Sequence, residues 1–213
     1  MASSIAIRAV VRGGVQGVGF RDATVRRARE LGVLGWVRNG DDGEVLVHAE
    51  GPPEAVAALE AFLRAGPLGA DVSEVAVERV RREGHEQFAI RGVPAGTFAV
   101  RRGERGFTLE LEVGGAARAW AVPKGPSMDP ADKRFAIELP APAAGDLWDH
   151  GLYEQGGRVP WPDALERGHA VFVLHGERLH GGFVLQRTRP ADASRGAQWL
   201  LVKRRDEHRR ASG

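Results

Sequence analysis

The chain has 213 residues, 43% of them hydrophobic, with 30 Lys plus Arg against 28 Asp plus Glu and a formal net charge of +2. That is enough apolar material for one large core or two small ones, and the near balance of charge excludes a strongly basic or acidic field as the organising feature. The absence of cysteine excludes disulfides, thiol catalysis and cysteine-ligated zinc. No stretch is apolar for long enough to be a membrane helix, and Arg8 interrupts the N-terminus before a signal-peptide apolar region forms, so a cytoplasmic protein with no membrane partner is expected.

Ile5, Ile7, Ala9 and Val11 alternate with the period of a strand, predicted over 5–12. The run V-R-G-G-V-Q-G-V-G-F-R, Val11 to Arg21, follows it. Beyond it Ala23, Val25, Ala28 and Leu31 fit an amphipathic helix over about 21–31 that stops near Gly32. The glycines Gly13, Gly14, Gly17 and Gly19 permit left-handed angles, and successive N–H groups in such a turn make an anion-binding nest that the helix N-terminus extends. Arg21 adds a planar, permanently charged fork suited to two phosphate oxygens. No Gly-Lys-Ser/Thr follows, and the glycines are not spaced G-x-G-x-x-G, so neither a P-loop nor a dinucleotide fingerprint is present. On this piece alone, an oxyanion site and a merely structural strand-to-helix turn are equally consistent.

Strands are predicted at 34–39 and 43–50, joined through Gly40-Asp41-Asp42-Gly43 as a hairpin. A helix over about 53–65 carries Val56, Leu59, Phe62 and Leu63 on one face and stops at Gly66-Pro67. Strands at about 72–82 and 88–91 complete the unit. The order βαββαβ predicts an α+β domain of ferredoxin-like type, an antiparallel sheet with both helices on one face.

The motifs V-x-G-x-V-Q-G-V-x-F-R and G-W-V-R-N-x-x-x-G-x-V-x-x-x-x-x-G, in this order and spacing, resemble the two signatures of the acylphosphatase family over roughly residues 4–92. The resemblance implies hydrolysis of small acyl phosphates. It assigns phosphate binding to Arg21 and orientation of the attacking water to Asn39. The surrounding N–H groups of Gly14, Val15, Gln16, Gly17, Val18, Gly19 and Phe20 would contact the substrate. The chemistry agrees: a carboxylate leaving group with a pKa of about 4 needs no general acid, so grip, charge compensation and a placed water suffice. No metal or organic cofactor is expected.

Gly92-Val93-Pro94-Ala95-Gly96 is a turn-rich break, which predicts domains at 1–92 and 93–213. Strands follow at 97–101, 107–113, 117–122, 134–139, 170–175, 181–187 and 198–203, with a short helix at about 161–167. Many short strands with Gly/Pro turns predict a mostly-β small barrel or sandwich.

Ala119–Arg134 (A-W-A-V-P-K-G-P-S-M-D-P-A-D-K-R), Leu174–Gly181 and Trp199–Lys203 resemble the phosphoesterase module of bacterial multifunctional DNA ligases, a metal-dependent β-barrel that trims DNA 3′ ends. Lys124 and Arg134 stand where that family contacts phosphate. The family's metal-holding His and Asp correspond to Gly106 and Thr108, its arginine to Glu110, and its catalytic histidine falls near Ala141 and Pro142. The expectation is a catalytically inactive domain with a binding or scaffolding role. The rival reading of the whole chain is a nucleic-acid-end binding or DNA-repair accessory protein acting through this domain.

Lys203 to Arg210 is the densest basic cluster, which could touch nucleic acid, although a solvated terminus is the favoured expectation. His175 and His180 flank a turn and are expected to be solvent-facing hairpin residues rather than metal ligands. Core packing, rather than base stacking, is expected of Trp148, Trp161 and Trp199.

Overall fold

Ile7, Ala9 and Val11 point to one side of strand β1 (Ile5–Gly14) and are buried, as period-two alternation requires. This strand opens a computed structural model that describes residues 4–192 and 195–205. The chain divides into two compact units, Met1–Val93 and Pro94–Gly213.

In the first unit β1 is followed by α1 (Phe20–Glu30), β2 (Leu34–Asn39), β3 (Val45–Gly51), α2 (Pro53–Ala65), β4 (Asp71–Arg79) and β5 (Phe88–Ile90). The sheet order is β4-β1-β3-β2-β5. Val11, Ala9 and Ile7 of β1 pair with Val45, Val47 and Ala49 of β3, and this row packs with Phe20, Val25 and Ala28 of α1 and Val56, Leu59 and Leu63 of α2. Helices therefore cover one face of the sheet. The all-antiparallel expectation fails at one strand: β5 pairs parallel with β2, Gly35 opposite Phe88. The cause is topological. β4 and β5 occupy opposite edges, so residues 80–87 must traverse the uncovered face, and they re-enter beside the start of β2 running in its direction.

The second unit contains β6 (Gly96–Gly103), β7 (Gly106–Val113), β8 (Ala116–Val122), β9 (Lys133–Leu139), β10 (Asp146–Gly156), α3 (Asp163–Glu166), β11 (His169–Gly176), β12 (His180–Arg189) and β13 (Gln198–Lys203). Eight strands close into a barrel in the order β10-β11-β12-β13-β9-β8-β7-β6. Its core is aromatic. Trp120 meets Trp199 edge to face at 6.1 Å, and Phe172 stacks on Phe183 at 6.0 Å.

Strand β10 has no counterpart among the predicted segments. Its ladder to β6 shifts register between Leu147 and Asp149, Gly151 supplies no side chain, and Leu147 and Leu152 are exposed, so period-two alternation is lost. Helix α3 is four residues long rather than seven.

Candidate active site

The glycine-rich run leaves β1 at a register shift between Arg12 and Gly13. Gly13 has φ +123°, and a Cβ there would lie 2.1 Å from the Asp71 carbonyl oxygen, so β4 approaches too closely for any side chain. Gly17 and Gly19 also have positive φ, at +75° and +72°, yet nothing among the described residues lies within 4 Å of where their Cβ atoms would be. There the backbone angle, not crowding, calls for glycine.

Gly19 is the N-cap of α1 and its carbonyl accepts the Ala23 N–H at 3.0 Å. The first-turn N–H groups have no intrahelical acceptor, and among the described residues no side chain caps them. Arg21 lies in this first turn and is half-buried.

Asn39 is the last residue of β2 and is half-buried. It pairs with Val45, which pairs with Val11 immediately before the glycine run. Directly paired residues share a sheet face, so Asn39 belongs to the helix-covered side, two strands from the exit of β1. Among the described residues, neither the Arg21 guanidinium nor the Asn39 amide has a hydrogen-bond or ion-pair partner.

A tether joins the two segments. Gln16 Nε2 donates to the Glu44 carbonyl at 3.0 Å, and that carbonyl also accepts the Gly40 N–H at 2.8 Å. The Glu44 carboxylate accepts the Asp42 N–H at 3.0 Å, stiffening the turn after Asn39. From the sequence, Gln16 is expected to contribute its N–H only. The side-chain tether spans 28 residues and left no local signal.

Gly14, Val15, Gln16, Gly17, Val18, Gly19 and Phe20 line the path from β1 to Arg21. Val15 and Phe20 are buried anchors, and Gly14, Gln16, Gly17 and Gly19 are exposed. An exposed arch of backbone anchored at both ends, leading to an uncapped helix, can hold a tetrahedral anion without reorganising.

In the barrel, Lys124 is exposed in the β8–β9 connection, while Arg134 pairs at 2.6 Å with Asp132, which also accepts the Ser127 hydroxyl at 2.6 Å. Arg134 therefore has a carboxylate partner within the chain. Gly106 begins β7 at φ +110°, Thr108 is buried, and Glu110 pairs with Arg101 at 3.1 Å.

His175 and His180 face each other across the β11–β12 hairpin and are exposed; His175 also meets Glu154 at 2.7 Å, a carboxylate partner that the sequence did not reveal. Trp199 is fully buried, and Trp148 and Trp161 pack partly buried against the barrel core. From the basic run, Lys203 is a correction to the solvated-terminus expectation. It is 4% exposed, with its ammonium 5.5 Å from the centre of the Phe183 ring. Residues 206–210 of that run lie outside the described residues. No helix among the described residues is long and apolar enough to cross a membrane.

A family profile described as Acylphosphatase matches residues 7–90. The Acylphosphatase of Synechococcus sp. (strain CC9902) is 49% identical over 84 residues, 39% of this chain and 72% of that protein. The Acylphosphatase of Pseudomonas aeruginosa (strain PAO1) is 48% identical over 87 residues, 41% of this chain and 96% of that protein. A solved acylphosphatase from Coxiella burnetii aligns at 36% identity with a TM-score of 0.41, over 41% of this chain and 93% of that one.

Proposed function

Because the chain belongs to the acylphosphatase family through its first domain, we propose that Arg21 and Asn39 carry the hydrolysis of an acyl phosphate there, without a metal. The phosphoryl oxygens lie against the N–H groups of residues 14–20, and the Arg21 guanidinium neutralises their charge. The Asn39 amide oxygen accepts a hydrogen bond from the attacking water and aims its oxygen at phosphorus. The new P–O bond forms as the bond to the acyl oxygen breaks, and the electron pair leaves with the carboxylate. With a pKa of about 4 that leaving group needs no proton. Asn39 is too weak a base to take the water's proton, which passes to a phosphoryl oxygen. Within the first unit the order βαββαβ, with β5 added at an edge, is read as ferredoxin-like.

What supports this reading is an exposed left-handed glycine arch that leads into the uncapped helix turn carrying Arg21 and is tied by the Gln16–Glu44 hydrogen bond to the turn after Asn39. Preorganised donors of this kind are worth about 10²–10³-fold in rate. Arg21→Ala and Asn39→Ala are expected to lower benzoyl phosphate turnover by at least about 10²-fold each, with unchanged circular dichroism. Wild-type turnover in either folded variant overturns the assignment, as does loss of turnover in EDTA.

We further propose that the second domain, 93–213, is a phosphoesterase-like barrel that no longer cleaves phosphoesters. Support comes from its chemistry: Gly106 and Thr108 offer no carboxylate or imidazole where a divalent cation would need them, and Glu110 is held by Arg101. Nucleic-acid-end binding through Lys124 is the alternative role for this domain. Release of phosphate from a DNA 3′ end with Mn²⁺ would defeat the inactivity, and salt-dependent gel shifts lost in Lys124→Ala would favour the alternative.

A further inference from the structure

On the face of the first sheet away from the helices, residues 80–87 bury a cluster of ionisable groups outside the proposed active site. His48 and Glu50 are two residues apart on β3, pair out of step with the Val45–Val47 row, and so share this face. His85 reaches them from the crossing segment. The three are 0%, 3% and 4% exposed, and their ligand-capable atoms lie within 4.8 Å of one another. Glu83 joins from the same segment, with Oε2 2.9 Å from His85 Nε2 and Oε1 4.0 Å from His48 Nδ1.

The protons in this cluster can be placed. Glu50 accepts the backbone N–H groups of Glu83, Gly84 and His85, the last two at 3.0 and 3.3 Å. Three backbone N–H groups and the His48 ring converge on its two oxygens, the surroundings of a carboxylate that only accepts. An ionised, acceptor-only carboxylate 2.8 Å from His48 Nε2 keeps the ring proton on that nitrogen. His48 Nδ1 is then a bare lone pair, fully buried and without a hydrogen-bond partner among the described residues. Protonating it does not repair this, because 4.0 Å to Glu83 is too long for a hydrogen bond.

We propose that His48 Nδ1, His85 Nε2 and the Glu83 carboxylate bind one zinc-class divalent cation, with Glu50 orienting His48 from behind. Zinc takes imidazole nitrogen and carboxylate oxygen at about 2.0–2.2 Å, so the Glu83 carboxylate, 4.0 Å from His48 Nδ1 and 2.9 Å from His85 Nε2, can share an ion with either ring after small side-chain movement. A carboxylate holding the far N–H of a ligating histidine is the arrangement that fixes tautomer and ring orientation at metal sites. The Glu83 side chain is 41% exposed, which leaves an entry path and room for a water as fourth ligand. A bound ion would pin the crossing segment to the sheet.

The full chain, stripped with chelator and dialysed, is titrated with Zn²⁺ against a chromogenic chelator and, separately, with Co²⁺ read by visible absorption. One equivalent is expected, with the intense bands of tetrahedral Co²⁺ and a Tm that rises with Zn²⁺ concentration. Glu50→Gln should weaken binding about 10–100-fold, and His85→Gln and Glu83→Gln by at least as much. Absorption no greater than that of free aqueous Co²⁺, or one equivalent held undiminished in both His85→Gln and Glu83→Gln, overturns the site. Glu83→Gln changes a partly exposed side chain and serves if the buried variant does not fold. Benzoyl phosphate turnover, followed in parallel, reports on the opposite face of the sheet, so failure of either reading is seen without the other.

Discussion

Tyr153 is the chain's sole tyrosine, buried in the barrel with its hydroxyl donating to the Glu112 carbonyl at 2.5 Å. Burial raises its pKa above the ordinary value, outweighing the hydrogen bond from Gln155 that lowers it, and the Glu112 charge adds a smaller rise. The folded state therefore keeps a proton that the unfolded chain releases at a pH of about 10, so this stabilisation is whole below that pH and falls as pH rises through it. Tyrosinate absorbance reads one group here. Its midpoint should lie above 10 in the folded protein and track unfolding, and Tyr153→Phe should blunt the alkaline loss. The glycines divide just as sharply. Gly13→Ala meets β4 backbone and should cost several kcal/mol, whereas Gly19→Ala meets only an unfavourable φ, about 1–2 kcal/mol in thermal melts. That Gly13, Gly17 and Gly19 matter was legible from their spacing. That one answers a neighbouring strand and the others a backbone angle was not, because residue 71 lies far along the chain.

Elements with clean periodicity were readable. The alternation in β1 and the 3.6-residue pattern in α2 each placed an element within two residues of its observed bounds. Elements whose pattern is broken by tertiary demands were not. β10 carries a register shift and two exposed leucines, and β5 takes its direction from a crossing that no local residue encodes. The same crossing escaped notice because His48 and Glu50 look like interruptions of an apolar strand until a segment 35 residues later covers them. Their i,i+2 spacing on a strand was the available signal. The amides of Glu83, Gly84 and His85 all depend on Glu50. In Glu50→Ala they should lose hydrogen-exchange protection together, at about 1–3 kcal/mol for each charged hydrogen bond removed, while amides of α1 stay protected.

The two units have separate hydrophobic clusters, one built on Val47 and Leu59 and the other on Trp120 and Trp199. A cut between Val93 and Pro94 should yield a first fragment that retains benzoyl phosphate turnover within about twofold of the whole chain and a second that melts cooperatively, as circular dichroism would record. Loss of either property would mean that the units depend on each other. Strand order in the barrel has its own corollary. β6 to β9 and β10 to β13 are two successive up-and-down runs, sewn into a ring only where β10 meets β6 and β13 meets β9. A chain ending ahead of Gln198 would lack the last stave, laying bare the flanks of β9 and β12 at once. Two naked ladders on one molecule are a template for polymerisation at both ends, so such a truncation should appear as insoluble protein rather than as a looser barrel.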